Sequence, residues 1–269
     1  MIQYGLSAAA FGICAKGVNG MKRVAAIYDI HGNLPALEAV LQEIAAADVD
    51  YIVVGGDVVA GPMPRETLAR LLSLDIPVQF IQGNADREIV VQVAGESAGA
   101  VPKHVLAIVR WVVQQLQPEQ VQMLANWPPT CQVAVEGIGE VLFCHATPHN
   151  DTDVFTHLTP ETHLLPIFAD VRAALVVCGH THMQFDRIIG KVRVVNAGSV
   201  GMPYGEPGAC WLLLGPGIAF QRTRYDERNA AAIIRATNYP QADDFAAHNV
   251  LQLPSEAEAL DLFTHMTFK

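Results

Sequence analysis

The sequence predicts an α/β protein with one main domain, in which parallel strands come first and antiparallel hairpins later. Three observations carry this. Apolar runs alternate with helical patterns in the N-terminal part, while later apolar runs come in pairs around glycine-containing turns. At 269 residues with 51% hydrophobic content, the chain can bury one large core. A mixed sheet, or two packed sheets, accommodates both kinds of strand.

Residues 1–20, MIQYGLSAAAFGICAKGVNG, are rich in small residues but lack a basic segment before the apolar part, so a secretory signal fits poorly and a loose extension is expected. The main domain is expected over 21–228. VAAIYD, YIVVGGD and VQFIQGN read as buried strands. Between the first two, LPALEAVLQEIAAA sets Leu34, Leu37, Leu41 and Ile44 at helical spacing, a βαβ rhythm that implies parallel strands. PMPRETLARLLSL reads as a helix opened by proline, with Leu68, Leu71 and Leu72 as its buried side. From Arg87 the character changes. VPKHVLAIVRWVVQQL and PEQVQMLANW read as two helices of an insert over about 87–129, beside the site. TCQVAVEG and GEVLFCHA then form a hairpin around Gly-Ile-Gly, ALVVCGH is another buried strand, and two more hairpins turn at Gly190-Lys191 and at Gly215–Gly217. The remainder, 229–269, is expected to be a helical extension packed on the same domain; it carries no readable chemical signal.

A formal charge of -10 argues against blanket neutralisation of nucleic-acid phosphates, so no non-specific nucleic-acid binding is expected. Cys14, Cys131, Cys144, Cys178 and Cys210 form no CxxC pair, which fits a reducing cytosol and a cytoplasmic protein. No apolar stretch reaches the roughly 18 residues of a membrane span.

Chemistry gathers in five clusters, each after an apolar run: Asp29-Ile-His31-Gly-Asn33, Gly56-Asp57, Gly83-Asn84-Ala-Asp86, His145, and Gly179-His180-Thr-His182. Strand ends of open α/β sheets are where ligands bind. Asp, His and Asn together offer oxygen and imidazole donors without thiolate, a set suited to manganese, iron, zinc or similar ions. Singly, each cluster has a plainer reading. Asn33 can cap the helix that starts at Leu34, Asp57 can bond its own turn, and a strand-end histidine is usually satisfied by backbone. Turn chemistry alone does not explain all five in succession.

The pieces DIHGN, GGDVV, GNAD, CHATP and GHTH, followed by NAGSVG, run from Asp29 to Gly201. In this order the chain resembles the calcineurin-like metallophosphoesterases, and within them the small bacterial phosphodiesterase-like branch. The resemblance implies a four-layer α/β/β/α sandwich of two mixed sheets. It also implies a dinuclear centre, with Asp29, His31 and His182 on one ion, Asn84, His145 and His180 on the other, and Asp57 bridging. Manganese is the first expectation, with iron, zinc or nickel as alternatives. Ions roughly 3.5 to 4 Å apart can share a hydroxide for in-line attack on a phosphate ester. Asp57, Asn84 and His145 are accordingly the expected catalytic positions, and a small phosphate ester the expected substrate.

Many relatives carry a histidine after the asparagine, where it stabilises the transition state or protonates the leaving oxygen. Here that position is Ala85. A lost general acid should matter most for poor leaving groups. His149 is a candidate stand-in, with His157 and His163 further along, although an exposed loop histidine is the commoner case. Arg87 could hold a phosphate oxygen or make an ion pair with Glu88 or another carboxylate, and the pair is slightly favoured. Asn196 is expected to support the site, and Cys144 and Cys178 to be buried strand residues. The rival expectation, resting on Ala85, is a non-catalytic metal-binding scaffold or regulatory protein.

Overall fold

The computed structural model describes residues 23–95 and 103–264; the expected N-terminal extension lies outside them. Two five-stranded sheets pack face to face. The first has the order β10-β9-β1-β2-β3, with β1 Val24–Ile27, β2 Tyr51–Val54, β3 Val78–Phe80, β9 Ala209–Leu214 and β10 Ile218–Thr223. The second has the order β4-β5-β6-β8-β7, with β4 Thr130–Val135, β5 Gly139–Cys144, β6 Leu175–Cys178, β7 Phe185–Ile189 and β8 Val192–Asn196. In the first, β1, β2 and β3 are parallel and β9 and β10 form an antiparallel hairpin edge; in the second, β5, β6 and β8 are parallel and the two outer strands antiparallel.

Strands covered on both faces read as continuous apolar runs. Val24 and Ala26 of β1, and Tyr28 just after it, face the second sheet, packing in one cluster with Val141, Phe143, Leu175 and Val177, while Ala25 and Ile27 face outward. The outward side of the first sheet is covered by α1 (Leu34–Ala46), α2 (Pro64–Leu72), α4 (Lys103–Gln115) and α5 (Pro118–Ala125). Leu164 and Phe168 of α6 (Glu161–Phe168) cover the other outer face. The result is the four-layer α/β/β/α sandwich with helical insertions.

Two local expectations change. Leu72 is 42% exposed, because the buried stripe of α2 runs through Thr67, Leu68 and Leu71 instead. Residues Asn84–Val93 form a helix, α3, that the sequence reading took for a strand-end turn followed by the insert. The C-terminal segment carries α7 Glu227–Arg235, α8 Ala242–Ala246, a π-helical turn Ala247–Leu251 and α9 Glu256–Thr264. Ala230, Ile234, Tyr239, Phe245 and Val250 pack it onto the domain. Among the described residues, no helix is long and apolar enough to cross a membrane.

Candidate metal centre

Parallel neighbours end side by side within each sheet, and the face-to-face packing of the two sheets brings both sets of strand ends, and so the predicted residues, together. Asp29 and His31 follow β1, Asp57 follows β2, and Asn84 opens α3 just after β3; from the other sheet, His145 follows β5, and His180 and His182 follow β6. Two groups of side chains have ligand atoms all within 4.8 Å of one another: Asp29, His31 and His182, and Asp29, Asp57 and His145. The clusters are adjacent and share Asp29. Asp57 also reaches both sides, its Oδ2 lying 3.7 Å from His31 Nε2 and 3.6 Å from His145 Nε2.

The backbone is bent to make this possible. Among the described non-glycine residues, positive φ occurs at Asp29 (52°), His31 (48°), Asp57 (53°), His180 (65°) and His182 (57°), with Asp48 the other case, in the turn after α1. Such conformations cost on the order of 1 kcal/mol or more each and gather at functional sites. Close packing accompanies the bends. A Cβ on Gly179 would sit 2.5 Å from Asp29 Oδ2, and one on Gly83 would sit 2.3 Å from Asp57 Oδ1.

Three ring orientations are fixed by backbone carbonyls, which only accept. His145 Nδ1–H donates to Gly55 (2.9 Å), His182 Nδ1–H to Met202 (2.9 Å) and His31 Nδ1–H to Ala60 (3.2 Å). Each ring then presents its Nε2 lone pair inward. Those lone pairs meet other acceptors: His31 Nε2 lies 3.2 Å from His182 Nε2, and Asp29 Oδ1 lies 3.4 Å from His182 Nε2 and 3.9 Å from His145 Nε2. One amide terminus of Asn84 lies 3.0 Å from His145 Nε2 and 2.9 Å from His180 Nδ1. The carboxylates are each pinned by one oxygen, Asp29 Oδ2 by the His180 N–H (2.9 Å) and Asp57 Oδ1 by the Ala85 N–H (2.8 Å). Asp29 Oδ1 is buried without a hydrogen-bond partner. An orphaned carboxylate oxygen ringed by imidazole lone pairs fits cations, so the residues present suit two divalent metals.

Electrostatics agree. Burial raises the Asp29 carboxyl, but the His182, His145 and His31 rings outweigh it and hold Asp29 well below the usual carboxylate range. Burial lowers His145 and His182, but Asp57 and Asp29 together raise the first, and Asp29 the second, above the ordinary imidazole value. The attraction that favours a proton there favours a metal cation equally.

The support also comes from the chain. Asn196 Nδ2 donates to Gly179 O (2.6 Å) and Thr181 Oγ1 (3.1 Å), bracing the turn that carries His180 and His182, as expected of it. Asn33 does cap α1, accepting from the Ala36 N–H, and also donates to Gly201 O. Asp86 accepts from the Val58, Val59 and Gly83 N–H groups, tying α3 to the Asp57 loop; burial and then Asp57 push its carboxyl up to about 7. Arg87 pairs with Asp151 through both arms of its fork (2.6 and 3.0 Å), which settles its competing readings in favour of the ion pair. Cys144 and Cys178 are buried, and burial pushes both thiols up, as inert strand residues require.

His149 is exposed and does not line the cavity at the site. That cavity, about 730 Å³, is bounded instead by residues the sequence reading passed over: Tyr239, Gln241, Asp244, Phe245 and Asn249 from the C-terminal segment. Their only sequence signal is indirect. Ala230 and Ile234, four apart, mark a buried face that obliges this segment to lie against the domain.

Comparison with known proteins places the arrangement. A hypothetical protein from Pyrococcus horikoshii OT3 superposes with a TM-score of 0.74 at 21% identity, covering 87% of this chain and 99% of that one, a likeness of fold. A metallophosphoesterase from Sphaerobacter thermophilus gives 0.63 at 26% identity, covering 85% of this chain and all of that one (100%). An uncharacterized protein of Methanocaldococcus jannaschii is 28% identical over 196 residues, 67% of this chain and 76% of its own length. The model of a calcineurin-like phosphoesterase superfamily domain matches residues 21–215, and the chain belongs to that superfamily.

Proposed function

We propose that the protein is a metal-dependent phosphoesterase acting on phosphodiesters or activated phosphomonoesters, akin to the small phosphodiesterase-like members of its superfamily. In this reading Asp29, His31 and His182 hold one ion, Asn84, His145 and His180 the other, and Asp57 lies between them. The observation that carries it is Asp29 Oδ1, buried, unpartnered and faced by the Nε2 atoms of His182, His145 and His31. Bound ions would supply Lewis acidity and a nucleophile at neutral pH. Manganese is the first choice for reconstitution, because the donor set is oxygen and imidazole without thiolate. The chain's own part is positional. The Ala85 N–H fixes one Asp57 oxygen so that the other stays directed inward, and the carbonyls of Gly55, Ala60 and Met202 hold three imidazoles in one tautomer.

Ala85 offers no proton to a departing oxygen, so acidic leaving groups such as phenols should be the best substrates. The same alanine favours a second reading, a protein that binds the ions without turnover; against it stands a complete set of inward-facing donors. The test is the initial rate on an aryl phosphodiester by Mn-reconstituted protein, beside chelated protein and Asp57→Asn. Clear turnover that falls by about 10³-fold or more in both controls is expected. Equal background in all three, with metal bound, would establish the scaffold.

A further inference from the structure

Of the donors proposed for the centre, His31 and Asn84 line the 730 Å³ cavity, together with many residues that are not donors. That volume lies within the roughly 300 to 1,000 Å³ of small-molecule sites and exceeds what a phosphate group needs. Next to Asn84 in the chain, Ala85 also lines the cavity, and a group of apolar side chains lines it as well. Val105, Ile108 and Val109 come from α4, Met202 from the loop after β8, and Tyr239 and Phe245 from the C-terminal segment. Gln241 and Asn249 add amide groups. Asn249 rides on the π-turn Ala247–Leu251, a local widening of a helix that recurs at functional sites.

The charges select further. Glu88 and Asp244 line the cavity, and its described cation, Arg87, has both arms of its fork on Asp151. Resting on the phosphoesterase reading above, we infer that this cavity receives the organic part of a single-phosphate ester: a flat, uncharged heteroaromatic group of nucleoside size. One face packs against the apolar lining to which Tyr239 and Phe245, themselves in edge contact at 6.1 Å, contribute, and its edges exchange hydrogen bonds with the amides of Gln241 and Asn249. A second phosphate on that group is disfavoured, because it would meet two carboxylates and no free guanidinium. A side chain larger than alanine at position 85 would take up space between the centre and this chamber.

The test compares kcat/KM for the p-nitrophenyl ester of thymidine 5′-monophosphate with that for methyl p-nitrophenyl phosphate, which share leaving group and reacting bond. Stacking a base on aromatic side chains predicts a preference of roughly 10- to 100-fold for the nucleoside ester. Phe245→Leu and Asn249→Ala should each shrink that ratio severalfold, and a 3′-phosphate on the nucleoside should lower kcat/KM about tenfold or more. Trp111, in edge contact with Tyr239 at 5.3 Å, gives a readout independent of turnover: thymidine should quench tryptophan fluorescence saturably, and more weakly in Phe245→Leu. Turnover with equal kcat/KM for both esters, or a preference for the 3′-phosphorylated one, overturns the inference and leaves the phosphoesterase reading standing. Saturable thymidine binding without turnover of any ester keeps the chamber and removes the phosphoesterase reading. Absence of both removes both.

Discussion

At the strand ends, Asp29, His31, Asp57, His180 and His182 all sit at positive φ, with both carboxylates and the His31 and His182 rings fastened to backbone groups. Elsewhere in the cavity lining, Val105, Ile108, Tyr239 and Phe245 come from the helical regions of the insert and the C-terminal segment, and positive φ is not among their features. One wall holds donors in positions the chain would not adopt unaided; the other presents shape and apolar surface. Reaction chemistry tolerates little displacement of its groups, so its wall is built with strain and redundancy. A specificity wall made of packed helices can vary without disturbing that geometry.

The sharpest way to break the division is at Ala85, where the walls meet. Ala85→His should raise kcat on alkyl phosphate esters by about 10²-fold through restored proton donation, while shrinking the nucleoside preference; steady-state kinetics on the two ester classes checks both. An unchanged alkyl rate would mean that another group already donates. Next is Asn196→Ala, which frees Gly179 O and Thr181 from their brace without touching a donor. Metal affinity or activity should fall by roughly 10- to 100-fold, measured by metal titration and rate, with the thymidine-binding wall unaffected.

A third test isolates acid sensitivity. Burial, followed by His145, lowers the His180 imidazole from 6.5 to about 4. The folded protein therefore keeps His180 neutral, and its contribution to stability is present above pH 6.5 and lost as pH falls toward 4, where the unfolded chain takes up the proton first. In metal-stripped protein, His180→Gln should lose less stability than the parent over that window, as read from denaturant melts at several pH values. The smallest effect is expected at Arg87→Ala. The ion pair with Asp151 is partly solvated, so the loss should be at most about 1 kcal/mol in the same melts.

The strands were legible because burial on both faces leaves an apolar run that little else produces, as in VAAI and LVVC. The donors were legible because their types are unusual at the ends of such runs. Leu72 was misplaced because a short helix leaves its apolar stripe free to rotate by one position, and packing chose Thr67 for the buried side. The helix α3 was missed since GNAD carries the very residues that signal chemistry. Asp86 there serves the backbone, accepting from Gly83 at the helix start. The cavity wall was illegible for a different reason. Val105, Tyr239 and Phe245 are ordinary core residues by type, and only tertiary packing brings them together.

The donors come from two sheets. Asp29, Asp57 and Asn84 extend from one, while His145, His180 and His182 extend from the other. Any ion bound between them is therefore a rivet across the seam of the sandwich, and separating the sheets must release it. Folding and metal uptake are then thermodynamically linked: the melting temperature should climb with the logarithm of free metal concentration, and a chelator should loosen the whole sandwich as well as silence the site.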